Sequence, residues 1–298
     1  MALWLAHVGI RVPNLQDSIA FHTSVLGLTL LRQEEHSAYF SCGYDHAFDL
    51  SVAPGGTGLD HVAFAVSDAR ELDTLASQLL VRGAELAPDP APEPGVTQAT
   101  RLRLPSGHHL ELVVLEQHTE QAFSYPHPAL PPTQLDSVSL LLDLDHVTLR
   151  HTDVSSLAAF LRDSLGFHIP DARLLPNGQW RAAWLHVTSQ HHDLAIIRGD
   201  EGETLDHVAF RVSGIETMKL LCDRLASYRI PVEVGPGRHS IGGNLFTYFW
   251  TPDGNRYELS AEMALVPNTT SPTRFWGDDP GLFSPWGIRP PESFRKGS

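Results

Sequence analysis

The chain has 298 residues, with 21 Lys plus Arg against 35 Asp plus Glu and a formal net charge of −14. That balance argues against nucleic acid or an anionic membrane surface as partner, since both call for a basic face. Apolar residues make up 42% of the chain, enough to fill the cores of two ordinary domains, yet no run approaches the ~18 residues of a membrane span.

The first element, LAHVGIRV from Leu5, alternates like a strand. It follows no basic leader, so it reads as part of the fold and the expected compartment is the cytoplasm. The same opening returns as LDHVAFAVS from Leu59, LDHVTLRHT from Leu144 and LDHVAFRVS from Leu205. A helical pattern follows each: Asp17–Leu26, Ala69–Arg82, Ser155–Leu165 and Ile215–Tyr228. Helices ending in Gly and re-entering a strand, as at Leu26-Gly27-Leu28 and Leu165-Gly166-Phe167, are the expected exits. Further strands complete the units: His36–Cys42 with Phe48–Ala53, Thr100–Leu104 with His109–Leu115, Trp180–Val187 with Leu194–Arg198, and Leu245–Trp250 with Arg256–Ala261.

Each unit is thus a βαβββ module, and four occur in one α+β chain. A lone module exposes an apolar face and a sheet edge, so modules must pair, giving two domains. The expected division is 1–117, a linker at 118–142 that breaks the periodicity with four prolines, a second domain at 143–264, and a tail at 265–298. The Pro-rich stretch Ala87–Gly95 reads as a loop inside the second module. The tail, with six prolines from Pro267 onward and no periodicity, reads as irregular chain. Cys42 and Cys222 show neither disulfide-framework nor zinc spacing.

Seventeen histidines invite a search for a metal or proton-transfer site, because imidazole is the commonest transition-metal ligand and titrates near neutral pH. Both halves hold two histidines at the start of their modules and a glutamate near the end: His7, His61 and Glu111, then His146, His207 and Glu258. Two histidines and one carboxylate form the facial triad of non-haem Fe(II) oxygenases. A histidine in a strand is more often a satisfied core residue, and the repetition alone favours neither half.

The surroundings separate them. The second half adds His192 in QHHDLAII, and His239 and Tyr248 in GRHSIGGNLFTYFWTPDGNRYE, a stretch that taken alone reads either as a site or as a surface hairpin. Aligning the two Pro-x-Gly turns sets Pro92 against His239 and Arg101 against Tyr248, while Phe48 falls opposite His192. Three proton-transfer groups therefore face an apolar, a proline and a basic residue, and the first-half trio reads as a relic of duplication.

The chain resembles the vicinal-oxygen-chelate superfamily and, within it, the type I extradiol catechol dioxygenases. The resemblance covers nearly the whole chain and is carried by Gly237-Arg238-His239, Tyr248, Thr251-Pro252-Asp253-Gly254 and Glu258. Thr247 departs from it, the family having an apolar residue before the tyrosine. WLHVTSQHHD and GPGRHS are most similar to the homoprotocatechuate 2,3-dioxygenase branch.

The resemblance implies two paired-module domains, the second catalytic and binding Fe(II), with Mn(II) also accepted, through His146, His207 and Glu258. It implies a small aromatic diol and O2 as reactants, a ring-opened semialdehyde acid as product, and a homo-oligomer, commonly a tetramer. It places His192 beside dioxygen as acid and base, with His191 the runner-up, and His239 and Tyr248 beside a substrate oxygen. Trp184, Val234, Ile241 and Arg274 would line the substrate site, with the tail as a lid. Val234 stands where the branch has an arginine for the substrate's carboxylate, which implies a neutral substituent here. The competing readings are a glyoxalase-type metal isomerase, which draws a fourth protein ligand, and a non-enzymatic small-molecule-binding protein of the same fold.

Overall fold

The computed structural model describes residues 3–43, 47–88, 91–116, 139–200, 204–266 and 270–298. The first module is β1 (Trp4–Val12), α1 (Leu15–Ser24), β2 (Thr29–Gln33), β3 (Ala38–Ser41) and β4 (Leu50–Pro54). The second is β5 (Leu59–Val66), α2 (Ala69–Val81), β6 (Glu85–Leu86), β7 (Val96–Arg103) and β8 (His109–Leu115). The third runs β9 (Asp143–His151), α3 (Val154–Leu165), β10 (His168–Leu174), β11 (Trp180–His186) and β12 (Leu194–Arg198). The fourth runs β13 (Thr204–Arg211), α4 (Ile215–Ser227), β14 (Val232–Arg238), β15 (Leu245–Trp250) and β16 (Arg256–Ala261). Most of the expected linker lies outside the described residues.

The modules pair as the exposed-edge argument requires. β1 and β5 join antiparallel to give the order β2-β3-β4-β1-β5-β8-β7-β6, and β9 and β13 join likewise to give β14-β15-β16-β13-β9-β12-β11-β10. In the tail, β17 (Arg274–Trp276) extends the second sheet by pairing parallel with β10, an element its composition did not signal.

Three helices start on side-chain caps: Asn14 accepts from Gln16 and Asp17, Asp68 from Glu71, and Asp153 from Ser156. The Asn14 cap is why α1 begins two residues before the amphipathic pattern suggests. Helix α3 ends at Gly166, whose φ of 75° suits a left-handed C-cap.

Each sheet packs its helices on one face and keeps its polar side chains on the other. On β15 and β16, Leu245, Phe249, Tyr257, Leu259 and Ala261 join the core, while the intervening Phe246, Tyr248, Arg256, Glu258 and Ser260 point to the opposite face by the two-residue period of a strand. The histidine-bearing strands break that period once each. Leu205 pairs with Leu149 and His207 with the next residue, Thr148, so Asp206 is an extra residue; Asp145 is the extra residue on the facing strand. Ala6 and Asp60 hold the same positions in the first sheet. These four β-bulges re-aim the side chains after them, so that Leu205, Val208 and Phe210 all reach the core although His207 between them does not.

The turn after β15 is not a surface hairpin. Asp253 accepts from Ser18 Oγ at 2.9 Å, and Asn255 accepts from the Gly58 amide at 2.8 Å and donates to the Arg11 carbonyl at 3.0 Å. Gly254 (φ +87°) has the Thr57 methyl 3.0 Å from where a Cβ would stand, so this close approach between the halves requires glycine.

Candidate metal centre and active site

The bulges of β9 and β13 bring His146 and His207 together on the polar face, and β16 runs parallel to β13 to add Glu258. Glu258 Oε2 lies 3.1 Å from Nε2 of each histidine, and the two Nε2 atoms are 3.4 Å apart. All three side chains are buried. The bulge residues complete the arrangement: Asp145 accepts from His146 Nδ1 at 3.0 Å and Asp206 from His207 Nδ1 at 2.7 Å. With each Nδ1 proton held by a carboxylate, both Nε2 atoms turn toward Glu258, and a metal that displaces the proton between them meets the Nε2 lone pairs it needs. The donor set and its orientation therefore fit a divalent transition ion.

Without an ion, these groups satisfy one another. Burial opposes charge on His146, but Glu258 and Asp145 outweigh it and raise its pKa to about 9. Burial likewise opposes the charge on Glu258, and the two histidines overcome it, holding the carboxyl far below its usual range. Asn244 donates to Glu258 Oε1 at 3.1 Å and fixes its second oxygen.

The proton-transfer residues gather around this cluster. Tyr248 lies directly across from Glu258 in the β15–β16 register. His239 donates from Nδ1 to the Phe283 carbonyl at 3.0 Å, which leaves Nε2 to accept the Tyr248 hydroxyl at 2.9 Å. Burial lowers the His239 pKa and raises that of Tyr248 well above its ordinary value, Glu258 adding to the latter. The His192 ring sits 4.3 Å from that of His146, and burial together with His146 and three further histidines keeps it neutral.

His191 stands one step further out, between His192 Nδ1 at 3.0 Å and Asp171 at 2.9 Å. Trp276 of β17 donates to the other Asp171 oxygen at 2.6 Å. The ring of Trp184 is 6.4 Å from His191. Ile241 is buried and Val234 is half-buried opposite Tyr248. Arg274 is not gathered in with the others: its largely exposed side chain lies 3.9 Å from Asp171 and near the Trp276 ring.

The tail covers the site. Phe294 meets Tyr248 edge-on at 4.9 Å, and Phe283 packs on His239 and Phe246. Arg150 and Arg256, both buried beside Asp206, donate to the carbonyls of Ser293, Phe294, Arg295 and Lys296.

Asp145, Asp171, Asp206 and Asn244 escaped the sequence reading. Asp145 and Asp206 had a signal, since an acid directly precedes three of the four repeated histidines. Asp171 and Asn244 had none.

Two mixed sheets of paired βαβββ modules around a two-histidine, one-carboxylate cluster define a vicinal-oxygen-chelate protein. Residues 4–112 and 143–259 match the Glyoxalase/Bleomycin resistance protein/Dioxygenase superfamily, and the chain belongs to it. It is 27% identical to the manganese-dependent 2,3-dihydroxybiphenyl 1,2-dioxygenase of Geobacillus genomosp. 3, over 87% of this chain and 85% of that protein. It is also 27% identical to a metapyrocatechase of Pseudomonas sp. (strain CF600), over 85% and 84%. The crystal structure of homoprotocatechuate 2,3-dioxygenase from Arthrobacter globiformis superposes with a TM-score of 0.85 at 25% identity, covering 99% of this chain and 91% of that one.

Proposed function

We propose that this chain is an extradiol dioxygenase, which cleaves the carbon–carbon bond beside the hydroxyl pair of a neutral, alkyl- or aryl-substituted catechol. Both atoms of O2 enter the product, a ring-opened semialdehyde acid. The observation that carries this reading is the convergence of His192, His239 and Tyr248 on the face that holds His146, His207 and Glu258. Among the described residues that cluster has three ligands, which favours a dioxygenase over an isomerase needing four.

His146, His207 and Glu258 would hold Fe(II), or Mn(II), which the same donors accept. The ion would supply the Lewis acidity and the electron transfer that the reaction of a diol with dioxygen calls for. The remaining chemistry belongs to protein side chains. Tyr248, with its own proton committed to His239 Nε2, offers oxygen lone pairs to a substrate hydroxyl, and the Tyr248–His239 pair takes up the proton that leaves the diol. In the tautomer in which His191 donates from Nε2 to Asp171, its Nδ1 accepts from His192 Nδ1, so His192 presents a bare Nε2. That atom collects a proton and returns it when the oxygen–oxygen bond breaks, the task of a general base turned general acid. Phe283, Phe294 and the tail exclude water from these transfers.

Val234 supports the neutral substituent, because it offers apolar surface opposite Tyr248 and no charge. Oxygen uptake and yellow product should be recorded for the Fe(II)-reconstituted protein with 4-methylcatechol and homoprotocatechuate. Higher kcat/KM for 4-methylcatechol is expected. No uptake with any catechol, by protein that has taken up Fe(II) or Mn(II), would refute the dioxygenase itself.

A further inference from the structure

The first sheet holds a second cluster, and it differs from what its sequence alignment suggests. His7 on β1, His61 on β5 and Glu111 on β8 meet as their counterparts do: the two Nε2 atoms are 3.1 Å apart, and Glu111 Oε2 lies 3.3 Å from His61 Nε2. A fourth group enters from the Pro-rich loop between β6 and β7. Glu93 Oε2 is 3.1 Å from His7 Nε2, and its Oε1 is 3.7 Å from His61 Nε2. All four side chains are buried, and one ligand atom from each falls within 4.8 Å of the others.

The internal interactions leave this cluster incomplete. Glu93 Oε2 and Glu111 Oε1 are buried without a hydrogen-bond partner, the former despite its nearness to His7. The carboxylate and the imidazole lie at contact distance but out of line for a hydrogen bond, which leaves both donors available to an ion. Arg101 donates to Glu111 at 3.0 Å and to Asp60 at 3.0 Å, and stands 4.0 Å from Glu93; Asp60 also has Arg11 at 3.9 Å. One guanidinium is therefore shared among three carboxylates, two of them buried, and buried charge without compensation is costly.

We infer that His7, His61, Glu93 and Glu111 form a second metal site, which binds a divalent transition ion of the Zn(II) class as a structural staple. Four nitrogen and oxygen donors from the protein close the coordination sphere, as structural sites of this ion do. Turnover is excluded by the surroundings. Phe48 lies 4.1 Å from the His7 ring, as His192 does from His146, and Arg101 faces Glu111 as Tyr248 faces Glu258. The ion would tie β1, β5 and β8 to the Glu93 loop, which Arg32 also holds through the Pro92 carbonyl.

The test uses the full-length Glu258→Ala protein, in which the catalytic-side cluster has lost its carboxylate, and Zn(II) alone as probe. About one equivalent of Zn(II) should remain after gel filtration, with the thermal midpoint raised by about 5–10 °C at a 1,000-fold excess over Kd. Adding Glu93→Gln should abolish the retained ion while leaving the circular dichroism spectrum unchanged. A natively folded Glu258→Ala protein that takes up no Zn(II) overturns the inference. So does uptake that persists undiminished in both Glu93→Gln and His61→Ala variants of that protein.

Discussion

Asp171 accepts a hydrogen bond from His191 Nε2 at 2.9 Å, and thereby sets which nitrogen of His191 meets His192. In the tautomer that gives its Nε2 proton to the carboxylate, Nδ1 carries the lone pair and the proton between the two rings belongs to His192. Asp171→Asn removes that bias. We expect catechol turnover to fall by roughly 10- to 100-fold, the scale at which a residue orienting a functional histidine acts, with metal content unchanged. His192→Phe should cost more, about 10²–10⁴-fold for loss of a general acid and base. Steady-state oxygen uptake beside metal analysis checks both, and near-normal turnover in His192→Phe would remove that residue from the reaction.

Asp145 orients His146 from the bulge of β9 and is itself anchored by Arg211 at 3.0 Å. Asp145→Asn should weaken metal binding by about 10- to 100-fold without altering the ligands. Competition with a chromogenic chelator reads this directly, and an unchanged affinity would show that packing alone holds the ring.

Substrate charge should be switchable at one position. Val234→Arg places a guanidinium opposite Tyr248, and a charge-assisted hydrogen bond contributes on the order of 1.5–3 kcal/mol, or about 10- to 100-fold in binding. The ratio of kcat/KM for homoprotocatechuate over 4-methylcatechol should rise by that factor. Arg274 is the competing source of charge, so a wild-type preference for the acid that disappears in Arg274→Ala would transfer the role to the tail.

His22 predicts a pH dependence of stability unrelated to catalysis. Its Nδ1 donates to the Ser18 carbonyl at 2.8 Å and its Nε2 accepts the Tyr257 hydroxyl at 2.7 Å, so the neutral ring is satisfied within the packed interior. Asp253, reached through Ser18, is the nearby acid. Burial lowers the His22 pKa from 6.5 to about 4. The unfolded chain therefore takes up this proton first as pH falls, and stability present above pH 6.5 is lost progressively down to about pH 4. The full effect is on the order of 3 kcal/mol. Urea unfolding at pH 7 and pH 4.5 should show a larger loss for the wild type than for His22→Gln, and equal losses would contradict it.

The repeated openings made His146 and His207 legible, because repetition marks that position four times over, and Glu258 was marked by its counterpart Glu111 after the matching turn. The turn Pro252-Asp253-Gly254 between two strand signals left room for Tyr248 and Glu258 on adjacent strands, and the register sets one directly against the other. Comparison of the halves set Phe48 against His192, and the turn alignment set Arg101 against Tyr248, as the ring contacts and strand registers do. It missed Glu93 because Pro92 beside it was the aligned residue, and loop geometry decides which side chain turns inward. Asp171 was invisible for a different reason: its partners come from β17 and from the loop before β12, which only the tertiary fold brings together.

The bulges at Asp60, Asp145 and Asp206 let two consecutive residues of a strand serve one site, the histidine as donor atom and the acid before it as the lock on its tautomer. Leu-Asp-His-Val is therefore a heritable word: copying four codons copies a ligand together with its orientation. The first repeat differs by one letter, Ala6 standing where the others have aspartate, and His7 Nδ1 is buried with no partner. An ion held by His7 and His61 would thus be gripped unequally, by one ring whose orientation a carboxylate fixes and one that packing alone holds.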